Sequence, residues 1–175
     1  MKTKTIQLFD FEELSEDAKE KALNRHNENN EHDYLSEDLN EYLSQLLTEN
    51  KINSDDAKLY YSLGYCQGDG VCFEGNFEYQ GVRFNVKHQG NYYHSNSVNI
   101  EMEDNEDSDD DLKNDLIEVI SEKAEDNFKE VYKEICDKIE KSGYEIIDYE
   151  QSEEAFKELC DANEYTFREN GEIEN

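Results

Sequence analysis

The fold is decided between residues 58 and 102, which read KLYYSLGYCQGDGVCFEGNFEYQGVRFNVKHQGNYYHSNSVNIEM. Four segments rich in Tyr, Phe and Val are separated here by short turns that contain glycine. Such segments are typical of β-strands, and turns this short favour antiparallel neighbours. We therefore expect a meander of four antiparallel strands at 58–65, 71–79, 82–87 and 92–102.

Helical patterns flank this predicted sheet on both sides. Acids that follow a serine mark helix starts near residues 15, 36 and 152, and apolar residues recur at helical spacing after each. A longer stripe predicts a helix from about Leu112 to Lys141, ended by Gly143, with a short strand at 144–149. The sequence thus predicts an α+β fold in a single domain over 1–175, in which N-terminal helices and a long C-terminal helix cover the meander.

The chain is strongly acidic, with 46 Asp and Glu against 17 Lys and Arg, a net charge of −29. Direct binding to nucleic acid or to an anionic membrane depends on basic residues, so this charge argues against both. No apolar run is long enough to predict a membrane span, and the N-terminus lacks the apolar core of a signal peptide. We expect a cytoplasmic protein with reduced cysteines.

The charge is unevenly distributed along the chain. Residues 58–100 hold three acids and three bases, whereas residues 101–175 hold 28 acids and eight bases. The densest run, 101–111, has eight acids in eleven residues and predicts an acidic loop. Its carboxylates resemble closely spaced phosphates, so we expect partner binding through Asp104, Glu106, Asp107, Asp109, Asp110 and Asp111.

Two alternative readings concern metal ions. Two thiols and two imidazoles could form a tetrahedral zinc site, from Cys66, Cys72, His88 and His94. The five-residue gaps within each pair differ from usual zinc spacings, so the competing interpretation is a pair of core cysteines and two histidines on the sheet. Asp107, Asp109 and Asp111 partly match a calcium loop, but Leu112 stands where that loop needs glycine.

A third motif joins the first two predicted strands. Gln67, Gly68, Asp69 and Gly70 could cradle a phosphate, but neither a lysine nor a helix follows. We interpret these four residues as a structural turn in which the two glycines adopt positive φ and the Asp69 side chain bonds its own turn. No nucleophile motif accompanies the histidines, so we expect no enzymatic activity and no cofactor.

Three stretches resemble small acidic phage and mobile-element proteins of Firmicutes, which include type II anti-CRISPR proteins. They are LFDFEELSEDAK at 8–19, YYSLGYCQGDGVCFEG at 60–75 and ANEYTFRENG at 162–171. The resemblance implies inhibition of an RNA-guided DNA nuclease by protein–protein contact, without catalysis, in the cytoplasm of an infected bacterium. The acidity agrees with that target, because such a nuclease holds nucleic acid in a positively charged channel.

Other partners would use another surface. A structural or regulatory protein without DNA mimicry would bind through the neutral, aromatic sheet, and an exposed aromatic face would also allow a homodimer. Neutralising residues 104–111 separates the two ideas, because only the first depends on those carboxylates.

Overall fold

A computed structural model describes residues 6–30, 32, 34–103 and 111–174, and of residues 111–121 it describes the backbone alone. The described chain forms two compact units. Unit 1 takes the residues up to Leu35 and from Glu145 onward, and unit 2 runs from Ser36 to Tyr144. The single domain expected over 1–175 stays a prediction, and each unit is described by itself.

The predicted α+β class and the four-stranded antiparallel meander are confirmed in unit 2. The strands follow the order β1-β2-β3-β4, with bounds Lys58–Ser62, Gly70–Tyr79, Val82–His88 and Val98–Met102. The expected fourth strand began too early, at residue 92. Residues 89–97 instead form a loop before β4, in which Tyr93 and His94 lie against Gly70 and Tyr92 lies against Gly68.

Strand β2 divides its length between two neighbours. Its first half, Gly70 to Glu74, pairs with β1, and its second half, Gly75 to Tyr79, pairs with β3. The two-residue turn between β2 and β3 consists of Gln80 and Gly81, as expected from the sequence. The backbone of the first half of β2 therefore needs hydrogen-bond partners outside the β2–β3 ladder.

The core of unit 2 lies between one face of the sheet and helices α2 (Leu35–Glu49) and α3 (Asp111–Glu150). Phe84 of β3 stacks on Phe128 of α3, with ring centres 4.4 Å apart and planes at 3°. Phe73 of β2 lies 4.2 Å from the ring of Tyr132. Aromatic rings bury large areas, so these few contacts supply much of the apolar burial in a chain that is only 35% hydrophobic.

Helix α3 continues through the glycine that was expected to end it. The strand predicted at 144–149 is wrong, because helix α3 ends only at Glu150. A Cβ atom on Gly143 would lie 2.4 Å from Leu63 Cδ1 and 3.5 Å from Leu39 Cδ1. Gly143 thus permits close packing within unit 2, and its sequence signature resembles that of a C-terminal helix cap.

Unit 1 builds a smaller core from both ends of the chain. Helices α1 (Glu16–Asn29) and α4 (Glu153–Ala162) contact each other. A short 3-10 helix at Phe11–Glu13 precedes α1. The ring of Phe11 meets Phe156 edge to face at 5.2 Å. The backbone of Phe9 pairs with Phe167, which pairs in turn with Ile173.

The C-terminal segment is folded as far as Glu174. Gly171 is buried, and the Glu174 amide donates to the Thr166 carbonyl oxygen at 2.8 Å. None of the helices in the described chain combines the length and the apolar character needed to cross a membrane.

Candidate functional site

The acidic side chains lie at the surface. Among the residues whose side chains the structure describes, Asp69 is the only buried Asp or Glu. Where the pKa of a described carboxyl group departs from its ordinary value, it is lowered, because neighbours such as Lys157 beside Glu12 and the Asn76 amide beside Asp56 favour the ionised form. The ionised form of these four carboxyl groups is therefore favoured.

Most of the predicted partner-binding carboxylates lie outside the described residues. These are Asp104, Glu106, Asp107, Asp109 and Asp110. Asp111 begins helix α3, where only the backbone is described. Their role in partner binding stays a prediction.

A second group of exposed carboxylates lies in unit 1, at the starts of its helices, where the sequence pattern indicated helix starts. Lys157 of α4 pairs with Glu12 of the 3-10 helix, and Lys19 pairs with Glu16 at 3.5 Å within α1. Acids in the first turn stabilise a helix through its dipole, and here both α1 and α4 begin with a pair of them. We call this group the unit 1 acidic surface; its exposed members are Asp10, Glu12, Glu13, Glu16, Asp17, Glu153 and Glu154.

The acids on the described part of helix α3 have a different environment. They alternate with lysines, and Lys129 pairs with Glu125 one turn away. Pairs of this kind contribute a few tenths of a kcal/mol, about 0.3 to 0.5, to helix stability. Over residues 122–150, helix α3 holds ten acids against five lysines, so its negative charge is partly compensated along the helix.

The turn between β1 and β2 is organised around the carboxylate of Asp69. It accepts hydrogen bonds from the Cys66 amide at 2.9 Å, the Ser62 hydroxyl at 3.1 Å and the Tyr144 phenol at 2.7 Å. The Cys66 thiol also donates to it at 3.2 Å, and the Asp69 amide donates back to the Cys66 carbonyl oxygen at 3.1 Å. These donors and the Gly64 amide thus converge on one side chain that is 7% exposed.

Asp69 is ionised in this setting. Burial alone would raise the pKa of Asp69, but hydrogen bonds from the Cys66 and Gly64 amides and the Tyr144 phenol outweigh burial and hold that pKa well below its ordinary value. The same contact acts in the opposite direction on the phenol, since burial and the neighbouring carboxylate raise the pKa of Tyr144. The turn is therefore held together by the buried, negatively charged carboxylate of Asp69.

Gly68 and Gly70 matter in this turn because a Cβ atom would crowd its neighbours there, and not because their φ angles are positive. The expectation that Gly68 and Gly70 adopt positive φ is wrong; the left-handed residue here is Tyr65, at φ 56°. A Cβ atom on Gly70 would lie 2.7 Å from His94 Nδ1 and 2.9 Å from the Tyr93 carbonyl oxygen. Gly70 is required because the loop before β4 approaches so closely.

The four residues of the zinc hypothesis are not gathered into one site. Cys66 is exposed on the turn, whereas Cys72 is fully buried in β2, where burial raises its pKa to about 11 and opposes the thiolate that zinc requires. His88 Nε2 lies 3.0 Å from the Tyr92 carbonyl oxygen, and His94 lies beside Gly70. Across the described residues, His, Cys, Asp and Glu form no group of three or more that could hold a metal ion.

A cluster on the sheet, missed from sequence, fixes the same loop. Tyr60 stacks with both His88 and Tyr93, at ring-centre distances of 5.8 and 5.6 Å. Its phenol donates to Glu74 at 2.5 Å, and this bond is the main cause of the lowered pKa of Glu74. The ionised Glu74 holds the Tyr60 phenol in place. The stacked rings of Tyr60, His88 and Tyr93 therefore anchor the loop before β4 to the sheet.

Comparison with known proteins adds no relative to these observations. No protein-family model matches the chain, and neither a curated protein nor a solved structure matches it. The likeness to anti-CRISPR proteins carried by 8–19, 60–75 and 162–171 stays a prediction.

Proposed function

We propose that this chain is a non-enzymatic inhibitor of the anti-CRISPR kind, which binds the basic nucleic-acid-binding surface of a host RNA-guided nuclease and blocks DNA engagement. The observation that carries the proposal is the placement of ionised carboxylates at the surface, with Asp69 the sole buried acid among the side chains described. Both units contribute, since unit 1 holds 20 acids and seven bases and unit 2 holds 26 and ten.

The physical logic is electrostatic complementarity. An RNA-guided nuclease binds its heteroduplex in a positive channel and reads a short duplex motif with arginines. Carboxylates can pair with such arginines through two parallel hydrogen bonds, as phosphates do. Opposite charges also accelerate encounter, and salt screens that attraction. We therefore expect rapid association that weakens as ionic strength rises.

The unit 1 acidic surface supplies a described locus for this contact. It places seven exposed carboxylates at the 3-10 helix and in the first turns of α1 and α4, of which Glu12 pairs with Lys157 and Glu16 pairs with Lys19 at 3.5 Å. Residues 104–111 supply a second predicted locus. A protein under this much self-repulsion gains stability when a cationic partner supplies the opposite charge, which favours binding over a role in solubility alone.

The test is competition with DNA. A guide-loaded nuclease is mixed with a fluorescent target duplex, and DNA binding is followed by anisotropy while the purified chain is added at low and at high salt. We expect the chain to displace the duplex at low salt and to lose potency at high salt. Unchanged DNA binding at saturating concentrations of the chain would contradict the proposal.

Three variants with equal charge change locate the contact. One neutralises four acids of the unit 1 acidic surface: Glu12→Gln, Glu13→Gln, Glu16→Gln and Asp17→Asn. A second neutralises four acids of 104–111, and the control neutralises Asp126, Glu130, Glu134 and Asp137 on the lysine-rich helix α3. We expect the first or second set to weaken competition more than the control does. Equal effects from all three sets would show a response to net charge alone and would contradict a defined contact.

A further inference from the structure

Two loops of unit 2 form a surface that lacks the charges found elsewhere. These loops, residues 64–70 and 89–97, are called here the uncharged loop surface. Charged residues make up 36% of the chain, yet these sixteen residues include only Asp69, which is buried. Their exposed aromatic side chains are Tyr65 and Tyr92, at 60% and 58% exposure. Loss of charge together with exposed tyrosine is the composition of protein interface centres.

The two loops lie against each other. A Cβ atom placed on Gly68 would lie 3.0 Å from the ring of Tyr92, so that ring covers the turn. Two residues further on, Gly70 receives the backbone of Tyr93 and the side chain of His94. Tyr92 and Tyr65 therefore border the same short turn, one from each loop.

The surface is also held rigid. The buried Asp69 carboxylate fixes the turn, and the stacked ring of Tyr60 anchors the other loop through His88 and Tyr93. Tyr65 keeps a left-handed backbone at φ 56°, which disfavours a bulky side chain and would suit glycine better. An exposed tyrosine retained on a strained, fixed backbone is typical of a binding position, because rigid aromatic groups lose little entropy on contact.

We propose that the uncharged loop surface is a docking site for arginine side chains of a protein partner, which stack on the rings of Tyr65 and Tyr92. This inference rests on the proposed function in that the partner is basic. The charge of −29 favours a cationic partner, and because the one carboxylate of these loops is buried, their exposed rings are the loop groups that attract a cation; the Tyr65 ring also packs against Tyr144 at 4.8 Å. Guanidinium stacks on aromatic rings better than ammonium does, so arginine is favoured over lysine.

The same kind of contact already occurs within unit 2. The ammonium group of Lys58 lies 4.8 Å from the ring centre of Tyr60. At exposed sites such a contact stabilises by about 0.5 to 1 kcal/mol, which corresponds to a difference of roughly two- to fivefold in affinity for one cation. An affinity difference within that range is measurable with short peptides.

The experiment uses two five-residue peptides with blocked ends, which alternate glycine with two arginines or with two lysines. Each is titrated into the full chain at 0.3 M salt, and binding is followed by NMR of the tyrosine rings. We expect the arginine peptide to bind more tightly than the lysine peptide, by less than the roughly fivefold that a whole contact can contribute, and to shift the ring signals of Tyr65 and Tyr92. Equal affinities, or shifts confined to other tyrosines, would overturn the proposal.

Variants assign the preference to the two rings. Tyr65→Phe keeps an aromatic face and should keep the preference, whereas Tyr65→Leu and Tyr92→Leu should each reduce it. Tyr34→Leu, at the most exposed tyrosine of unit 1, is the matched control and should leave it unchanged. A preference that survives the double leucine variant would contradict the inference.

The outcome separates this inference from the proposed function. An arginine preference at Tyr65 and Tyr92 without DNA competition would reject the inhibitor and leave the docking surface standing. Competition with DNA without an arginine preference would reject the docking surface and leave the proposed inhibitor standing.

Discussion

The phenol of Tyr132 completes the backbone hydrogen bonding of Phe73. It donates to the Phe73 carbonyl oxygen at 2.8 Å and accepts from the Phe73 amide at 2.9 Å. Phe73 lies in the first half of β2, which pairs with β1 and not with β3. One side chain of helix α3 thus occupies the position that a neighbouring strand would otherwise fill, in a fully buried setting.

Tyr132→Phe is predicted to destabilise the protein by about 2 to 4 kcal/mol. The variant keeps the ring but leaves a buried amide and a buried carbonyl without partners, and each carries a desolvation cost. Urea unfolding followed by circular dichroism measures the change. Tyr34→Phe, at an exposed tyrosine, should change the free energy of unfolding by less than about 0.5 kcal/mol. A similarly small effect at Tyr132 would contradict this role.

Asp69→Asn is predicted to lower the free energy of unfolding at pH 7 by about 2 to 3 kcal/mol. The amide removes the charge that the Cys66 amide and Tyr144 phenol stabilise, and its own NH₂ group faces those donors. Urea denaturation of both proteins measures the difference. Asp55→Asn removes the same charge from an exposed position and serves as the control.

The effect of Asp69→Asn should also depend on pH in a known direction. Because the folded-state pKa of Asp69 is lowered, its stabilisation is fully present above the unfolded-state pKa, about 3.9, and declines as pH falls toward the folded-state value. The stability difference between wild type and variant should therefore stay constant from pH 7 to 5 and shrink below about pH 4. A difference that grows on acidification would contradict an ionised Asp69.

Thiol reactivity should distinguish Cys66 from the other three cysteines. Cys66 is exposed, whereas Cys72, Cys136 and Cys160 are buried, and burial raises the pKa of Cys72 and Cys160 to about 11. We expect Ellman's reagent to modify one thiol rapidly in the native protein and four in denaturant. The rapid phase should vanish in Cys66→Ser. A second rapid thiol would show that one of the buried cysteines is accessible.

Gly171→Ala is predicted to destabilise unit 1 by about 1 to 3 kcal/mol beyond the cost of its backbone angle. Gly171 has φ 79°, and a Cβ atom there would lie 2.3 Å from the Ala18 carbonyl oxygen. Gly81 has nearly the same φ, 80°, with no atom within 4 Å of the added Cβ, so Gly81→Ala isolates the cost of the angle. Thermal unfolding compares the two variants, and equal losses would argue against the close contact.

The sheet could be predicted because its signals are local. Alternation at Val82, Phe84 and Val86, and the Gln80-Gly81 turn, specify strands and a hairpin without distant residues. The end of helix α3 could not be predicted in the same way. Whether Gly143 caps a helix or receives Leu63 depends on a contact 80 residues away in the chain, so the local signature was misread.

In the candidate site, too, the local features could be predicted from the sequence and the distant contacts could not. The turn at Gln67 to Gly70 was expected, but the donors to Asp69 include Tyr144, 75 residues later. Tertiary structure alone brings that phenol to the turn. The absence of charge from 64–70 and 89–97 was visible in the sequence, and it acquires meaning only when Gly68 and Tyr92 are seen to touch.

Because β2 pairs with β1 in its first half and with β3 in its second half, the exchange rates of its backbone amides can show where a ligand binds. Amides of the β1–β2 ladder belong to residues joined directly to the turn, whereas those of the β2–β3 ladder begin only at Gly75. Hydrogen–deuterium exchange in the two ladders can therefore respond separately. A molecule seated over Tyr65 should slow exchange in the first ladder and leave the second unchanged, which reveals its location without any label or substitution.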